Sequence, residues 1–167
     1  YEIIESGTVP TEDSMIDSIR ENKLASVSAT CEQLIYDGID VTLSTGEKHF
    51  SLQIADQSNI DGIFNAVTLG ATAYPYHADG ELCSMFSATD IVTLYMNYKS
   101  FVTTQTTYCN ALRQWIMREE DKDKLAAIEY GSPLPDDLNA EMNTILTAAQ
   151  EQVQAIVGKL TSAVRDT

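Results

Sequence analysis

The sequence is short of positive charge. Ten Lys and Arg stand against 25 Asp and Glu, a formal net charge of −15. Displacing the counterions of a nucleic-acid backbone takes clustered Lys and Arg. No such cluster occurs, because Lys122 and Lys124 sit among Glu119, Glu120, Asp121 and Asp123. This argues against nucleic acid as a direct partner, and against an anionic membrane surface for the same reason. Long apolar runs are also missing: none approaches the roughly 18 residues of a membrane span. Cysteine is scarce, with three residues, Cys31, Cys83 and Cys109, too few and too widely spaced for a disulfide framework. Cys31 and Cys109 fall on apolar helical faces, where a free thiol behaves as a small hydrophobe. Folding in the reducing cytosol is therefore expected. Aromatics make up only 8%, and without a basic groove they give no support to base stacking. A Gly-rich phosphate loop, a Walker pattern and internal repeats are absent as well.

What is present is ordinary globular composition, with 44% apolar and 21% charged residues in 167. That length suggests one domain, able to bury a core without a metal or disulfide staple. The negative charge reads as a solubility device.

Periodicity divides the chain. Residues 1–12 read as an arm, with Thr11 to Ser14 rich in helix-starting residues. Apolar residues at Ile16, Ile19, Leu24, Val27, Cys31, Leu34 and Ile35 mark one face of a first helix, stopped at Asp37-Gly38. The period then becomes two. Ile39, Val41 and Leu43, a turn at Ser44–Glu47 and His49–Leu52 predict a β-hairpin. A helix follows over 56–69. A second hairpin is expected around a tight Asp79-Gly80 turn, with Pro75 confining its strand to an edge. Ser87 to Asp90 resembles a capping box and opens a long helix to about Arg118. Its seam of Ile91, Leu94, Tyr98, Phe101, Gln105, Tyr108, Leu112 and Trp115 keeps heptad spacing, with Gln105 its single polar member. Packing on the first helix and the sheet is the preferred account of that seam, and sharing between chains the alternative.

A short helix is expected over 121–130, and the Pro-containing break at Ser132–Pro135 precedes a last helix. The fold class is thus α+β: two β-hairpins packed with a long central helix and an N-terminal helix, plus a C-terminal helix. The domain spans 13–131, and 132–167 form a linker and an amphipathic helix. That helix carries Leu138 and then Met142, Ile145, Ala149, Val153, Ile156, Leu160 and Val164, repeating every eleven residues. Such a repeat favours a nearly straight or slightly right-handed coil. Intrachain packing and a shared interface both account for the stripe. The repeat tips the choice toward parallel copies, a homo-oligomer, or a partner helix. These seven residues, Met142 to Val164, are the candidate interface.

Chemistry-bearing constellations are thin. His77, Asp79 and Cys83 are the best candidate metal cluster, but their spacing matches no zinc pattern and a hairpin turn explains Asp79. Cys83 with His77 or His49 lacks an oxyanion hole and a third group. Asp136-Asp137 and Glu119-Glu120 sit at helix ends, where dipole or solvated roles are commoner. No catalytic residue, cofactor or metal is expected.

Several stretches, taken in order, carry a resemblance. They are Thr30-Cys31-Glu32 with Ile39-Asp40-Val41; His49-Phe50-Ser51-Leu52; Tyr74-Pro75-Tyr76-His77-Ala78-Asp79-Gly80; Phe86-Ser87-Ala88; Thr107-Tyr108-Cys109-Asn110; Trp115-Ile116; and Tyr130-Gly131. Together they resemble a family from the tail modules of prophages in Gram-positive bacteria, related to a wider phage domain of unknown function. The resemblance implies no catalytic residues. It implies a structural or attachment component of a phage tail or tail-like particle, located in the virion and made in the bacterial host cytoplasm, with other tail or fibre subunits as partners. A tail-fibre or tail assembly chaperone is the alternative, and an enzyme a distant third.

Overall fold

The structure, a computed structural model, describes residues 9–165 and the side chains through Ser162; most of the expected N-terminal arm, residues 1–8, lies outside the described residues. Helix α1 spans Glu12–Asp37. Thr11 caps it, its Oγ1 accepting from the Ser14 N–H at 3.1 Å, and Glu12 and Asp13 face the positive end of the helix dipole. The helix ends at Gly38, where φ is 86° and a Cβ would lie 1.9 Å from the Phe50 carbonyl oxygen. Only glycine allows both this backbone conformation and this approach.

Strands β1 (Ile39–Leu43) and β2 (Gly46–Phe50) form the first hairpin, in register from Ile39 opposite Phe50 to Leu43 opposite Gly46. Val41, Leu43 and Phe50 turn inward. Helix α2 (Ile54–Thr68) follows, opened by a reciprocal cap between Gln53 and Asp56. Strands β3 (Ala73–Tyr76) and β4 (Ser84–Ser87) form a second, separate two-stranded sheet. Helix α3 spans Ala88–Arg118, α4 Lys122–Ala127 and α5 Asp136–Arg165. The α+β architecture, with two hairpins packed on a long central helix, is as the sequence pattern predicts.

Helix α3 is the axis of the molecule, packed by α1, α2, α5 and both hairpins. Its heptad seam is used within the chain: Ile91, Leu94 and Leu112 are fully buried. The larger core cluster joins α2, both hairpins, Cys31 and Ile35 of α1 and mainly the N-terminal half of α3. Phe50, Tyr76 and Phe86 tie the hairpins together through ring contacts at 5.9 to 6.2 Å. A smaller cluster of Val27, Leu112, Ile116, Leu125 and Ile128 joins α1, the other half of α3 and the α4 region.

Four expectations are corrected. Leu34, expected inside, is 39% exposed, because the buried stripe of α1 steps by four through Val27, Cys31 and Ile35 and turns Leu34 outward. Asp79-Gly80 is not a two-residue hairpin turn: only Gly80 has positive φ, and residues 77–83 form a longer connection. That connection is stretched because Asp79 docks on the first hairpin, its N–H donating to the His49 carbonyl at 2.9 Å. The capping box at Ser87 is half made. Ser87 Oγ accepts from the Asp90 N–H at 3.2 Å, but the Asp90 carboxylate turns away to the turn of the first hairpin. Helix α4 ends at Ala127 rather than near Tyr130, because Ile128 leaves the helical conformation and enters the smaller core cluster.

Candidate functional site

The candidate site is α5 and the face of α3 on which it lies. The launching point of α5 is held by two tyrosines of the main domain. The Tyr108 hydroxyl donates to the Ser132 carbonyl at 2.5 Å and accepts from the Gly131 N–H at 2.9 Å. The Tyr130 hydroxyl donates to Gln105 Oε1, which gives the one polar member of the seam a partner. The chain then turns through Pro133 and Pro135, and Asp137 in the first turn of α5 accepts two hydrogen bonds from Arg118, at 2.6 and 2.7 Å. The guanidinium holds the Asp137 carboxyl down at about 2, against a slight upward push from burial and with help from the N-terminal amides of the helix. Both side chains are exposed, so solvent screens the pair. From there α5 runs back along α3, antiparallel to it. Met96, Ser100 and Thr103 face Leu146, Ala149 and Val153 across a groove of about 390 Å³. Leu160 reaches the larger core cluster.

Four of the seven candidate interface residues, Met142, Ala149, Val153 and Leu160, are half-buried where α5 lies on α3. Ile145 and Ile156 are 48% and 41% exposed. The side chain of Val164 lies outside the described residues. The half-buried positions are Leu138, Met142, Leu146, Ala149, Val153, Val157 and Leu160, so Leu146 and Val157 stand where the sequence reading placed Ile145 and Ile156. Both sets repeat every eleven residues, and adjacent residues on a helix are about 100° apart. Period alone therefore does not choose between Ile145 and Leu146. The helix consequently offers two apolar faces: one against α3, and one facing outward through Ile145 and Ile156.

Of the polar candidates, His49 and Asp79 come together where the hairpins meet. His49 Nδ1 lies 2.7 Å from Asp40 Oδ1 and Nε2 lies 2.7 Å from the Asp37 carbonyl. Both neighbours are acceptors, so the two contacts are satisfied together only by the doubly protonated ring. The Asp40 hydrogen bond, then the Asp37 carbonyl, raise the His49 pKa against a small opposing effect of burial. Asp79 accepts from the Ser51 N–H at 3.1 Å and from its hydroxyl. Burial pushes its pKa up, but the Ser51 hydrogen bonds and the positive field of His49 outweigh that and lower it. The ring of His77 lies 3.0 Å from the Ala78 carbonyl, and Cys83 is exposed; the two line one shallow cleft beside β3. Among the described residues no group of three or more His, Cys, Asp or Glu side chains is placed to hold a metal ion.

Of the carboxylate pairs, Asp137 holds Arg118. Glu119 accepts from the Trp115 indole at 3.3 Å, and its carbonyl accepts from Arg20 at 2.8 Å. The sequence reading missed the role of Asp90. This buried carboxylate accepts from the Ser44 N–H at 2.9 Å and its hydroxyl at 2.5 Å, fixing the first hairpin to the start of α3. No local signal announces a bond between residues so far apart in the chain.

Among the described residues no helix is long and apolar enough to cross a membrane. No curated protein and no solved structure matches the chain. One family does match, over residues 18–132, from within α1 to the start of the linker, leaving α5 beyond its end. That match covers well over half of the sequence, and the chain belongs to the family described as a domain of unknown function, DUF4376.

Proposed function

We propose that this chain is a structural or attachment component of a phage tail or tail-like particle, such as a baseplate, fibre or adaptor subunit, and that it binds a neighbouring subunit through α5. The tail assignment is supported by the ordered set of motifs between Thr30 and Gly131 that resembles prophage tail-module proteins. The observation that carries the contact is the outward pair Ile145 and Ile156, one eleven-residue step apart on a helix outside the family match. Two large aliphatic side chains in line on an exposed face lose water contact when a partner helix covers them. The main domain and the inner face of α5 then serve as a platform.

An assembly chaperone for a tail or fibre protein would use the same face but leave the finished particle. Mass spectrometry of purified particles separates the two: stoichiometric presence supports the component. Absence, with recovery of the chain bound to a tail protein in the producing cell, supports the chaperone. The surface itself is tested by Ile145→Asp with Ile156→Asp. Circular dichroism should be unchanged, while light scattering should show loss of any self-association or of the tail-subunit complex. Retained association in this folded variant would place the interface elsewhere.

A further inference from the structure

Two buried thiols oppose each other across the packed face of α1 and α3, and neither the family description nor the proposed contacts give them a role. Cys31 Sγ lies 3.6 Å from the carbonyl oxygen of Gln105, and Cys109 Sγ lies 3.9 Å from that of Val27. Each of these carbonyls belongs to the residue one helical turn before the opposite cysteine. Both side chains therefore cross the same interface toward each other. Helices α1 and α3 run antiparallel here, since Arg20 reaches Ile116 and Glu119 while Arg113 reaches Leu24 and Ser28. A disulfide needs its two Cβ atoms at about 4 Å, a separation that facing positions of closely packed helices can reach with a small shift.

We infer that Cys31 and Cys109 are a redox-modification site, a latent crosslink that a small disulfide oxidant such as oxidised glutathione closes to lock α1 onto α3. The chemistry is two thiol–disulfide exchanges. One cysteine thiolate attacks the oxidant, forming a mixed disulfide and expelling one thiolate. The second cysteine thiolate attacks the protein-side sulfur, forms the Cys31–Cys109 bond and expels the other thiolate. The protein loses two protons and two electrons, and the oxidant leaves as two reduced thiols. Burial raises the Cys109 pKa and shields both sulfurs from the oxidant in the closed fold. The first exchange therefore waits on a transient separation of α1 from α3, and the second is fast because refolding presents the partner. The inference does not depend on the tail reading.

The test uses the full chain carrying Cys83→Ser, which removes the remaining, exposed thiol. It is incubated under native conditions with oxidised glutathione, then denatured, alkylated and weighed. The expected product has lost two hydrogens, binds no alkylating agent and gives a linked peptide pair containing Cys31 and Cys109. Its melting temperature should rise by about 10 °C, from constraint of the unfolded chain, and return on reduction. Cys31→Ser in the same background should stop at a glutathione adduct or stay reduced. Three results would overturn the inference: two alkylatable thiols after prolonged oxidation, a stable mixed disulfide without crosslink, or a crosslinked protein that melts at the same or a lower temperature.

Discussion

Helices α3 and α5 have 31 and 30 residues and each carries an apolar stripe along its whole length, yet they live in different surroundings. Around α3 the chain supplies α1 and α2, both hairpins and α5. Seven of its apolar side chains are buried. None of the described side chains of α5 is fully buried, because it meets substantial protein on one side only, that of α3. A stripe in the sequence thus states what a helix can bury, while the number of neighbours decides what it does bury. The same difference separates the helix inside the family match from the helix outside it.

The largest effect should come from the buried side of this comparison. Leu94→Ala, at a fully buried position near the start of α3, should cost about 2–5 kcal/mol in urea unfolding, through lost burial and the cavity left behind. A near-neutral result would mean that α3 is not the axis of the core. Next comes Asp90→Ala, which strands the Ser44 N–H and hydroxyl. A loss of about 1–3 kcal/mol is expected, with faster hydrogen exchange confined to the first hairpin and the start of α3. Leu146→Ala on the half-buried face of α5 should cost only about 1 kcal/mol. If it costs as much as Leu94→Ala, then α5 belongs to the core and the contrast between the two helices disappears.

The smallest effect concerns the hairpin junction and depends on pH. The His49 pKa is raised above 6.5 in the folded state, so its contribution to stability is complete below that value and is lost as pH rises through the folded pKa. Asp79 has the opposite sign: its folded pKa is lowered below 3.8, so its contribution is present above that value and fades as pH falls through the folded one. His49→Gln should lower the melting temperature where the ring is protonated and flatten its decline as pH rises above 6.5. An NMR titration of His49 that gives an ordinary histidine pKa would show that the ring does not hold Asp40 and Asp37 together.

Much of this molecule could be read locally. Thr11, Gly38, Gly46 and Ser87 mark element ends because capping and left-handed backbone are short-range chemistry. The first hairpin and the long helix follow from their periods, since an alternating or 3.6-residue pattern is a property of consecutive residues. Misplacements arose where a residue answers to something distant. Asp79 looked like a turn residue but serves the Ser51 amide, and Asp90 looked like a cap but serves Ser44.

The α+β class, the order of the elements, the acidic composition and the eleven-residue stripe on the last helix could all be read along the chain. All of these depend on composition or on spacing along the chain. Packing in three dimensions settled that the seam of α3 closes within the chain, that Cys31 and Cys109 each reach across to the opposite helix, and that Leu146 rather than Ile145 faces inward. Adjacent positions on one helix differ by about 100° of rotation, and that rotation is chosen by the helix packed opposite, which no local pattern encodes.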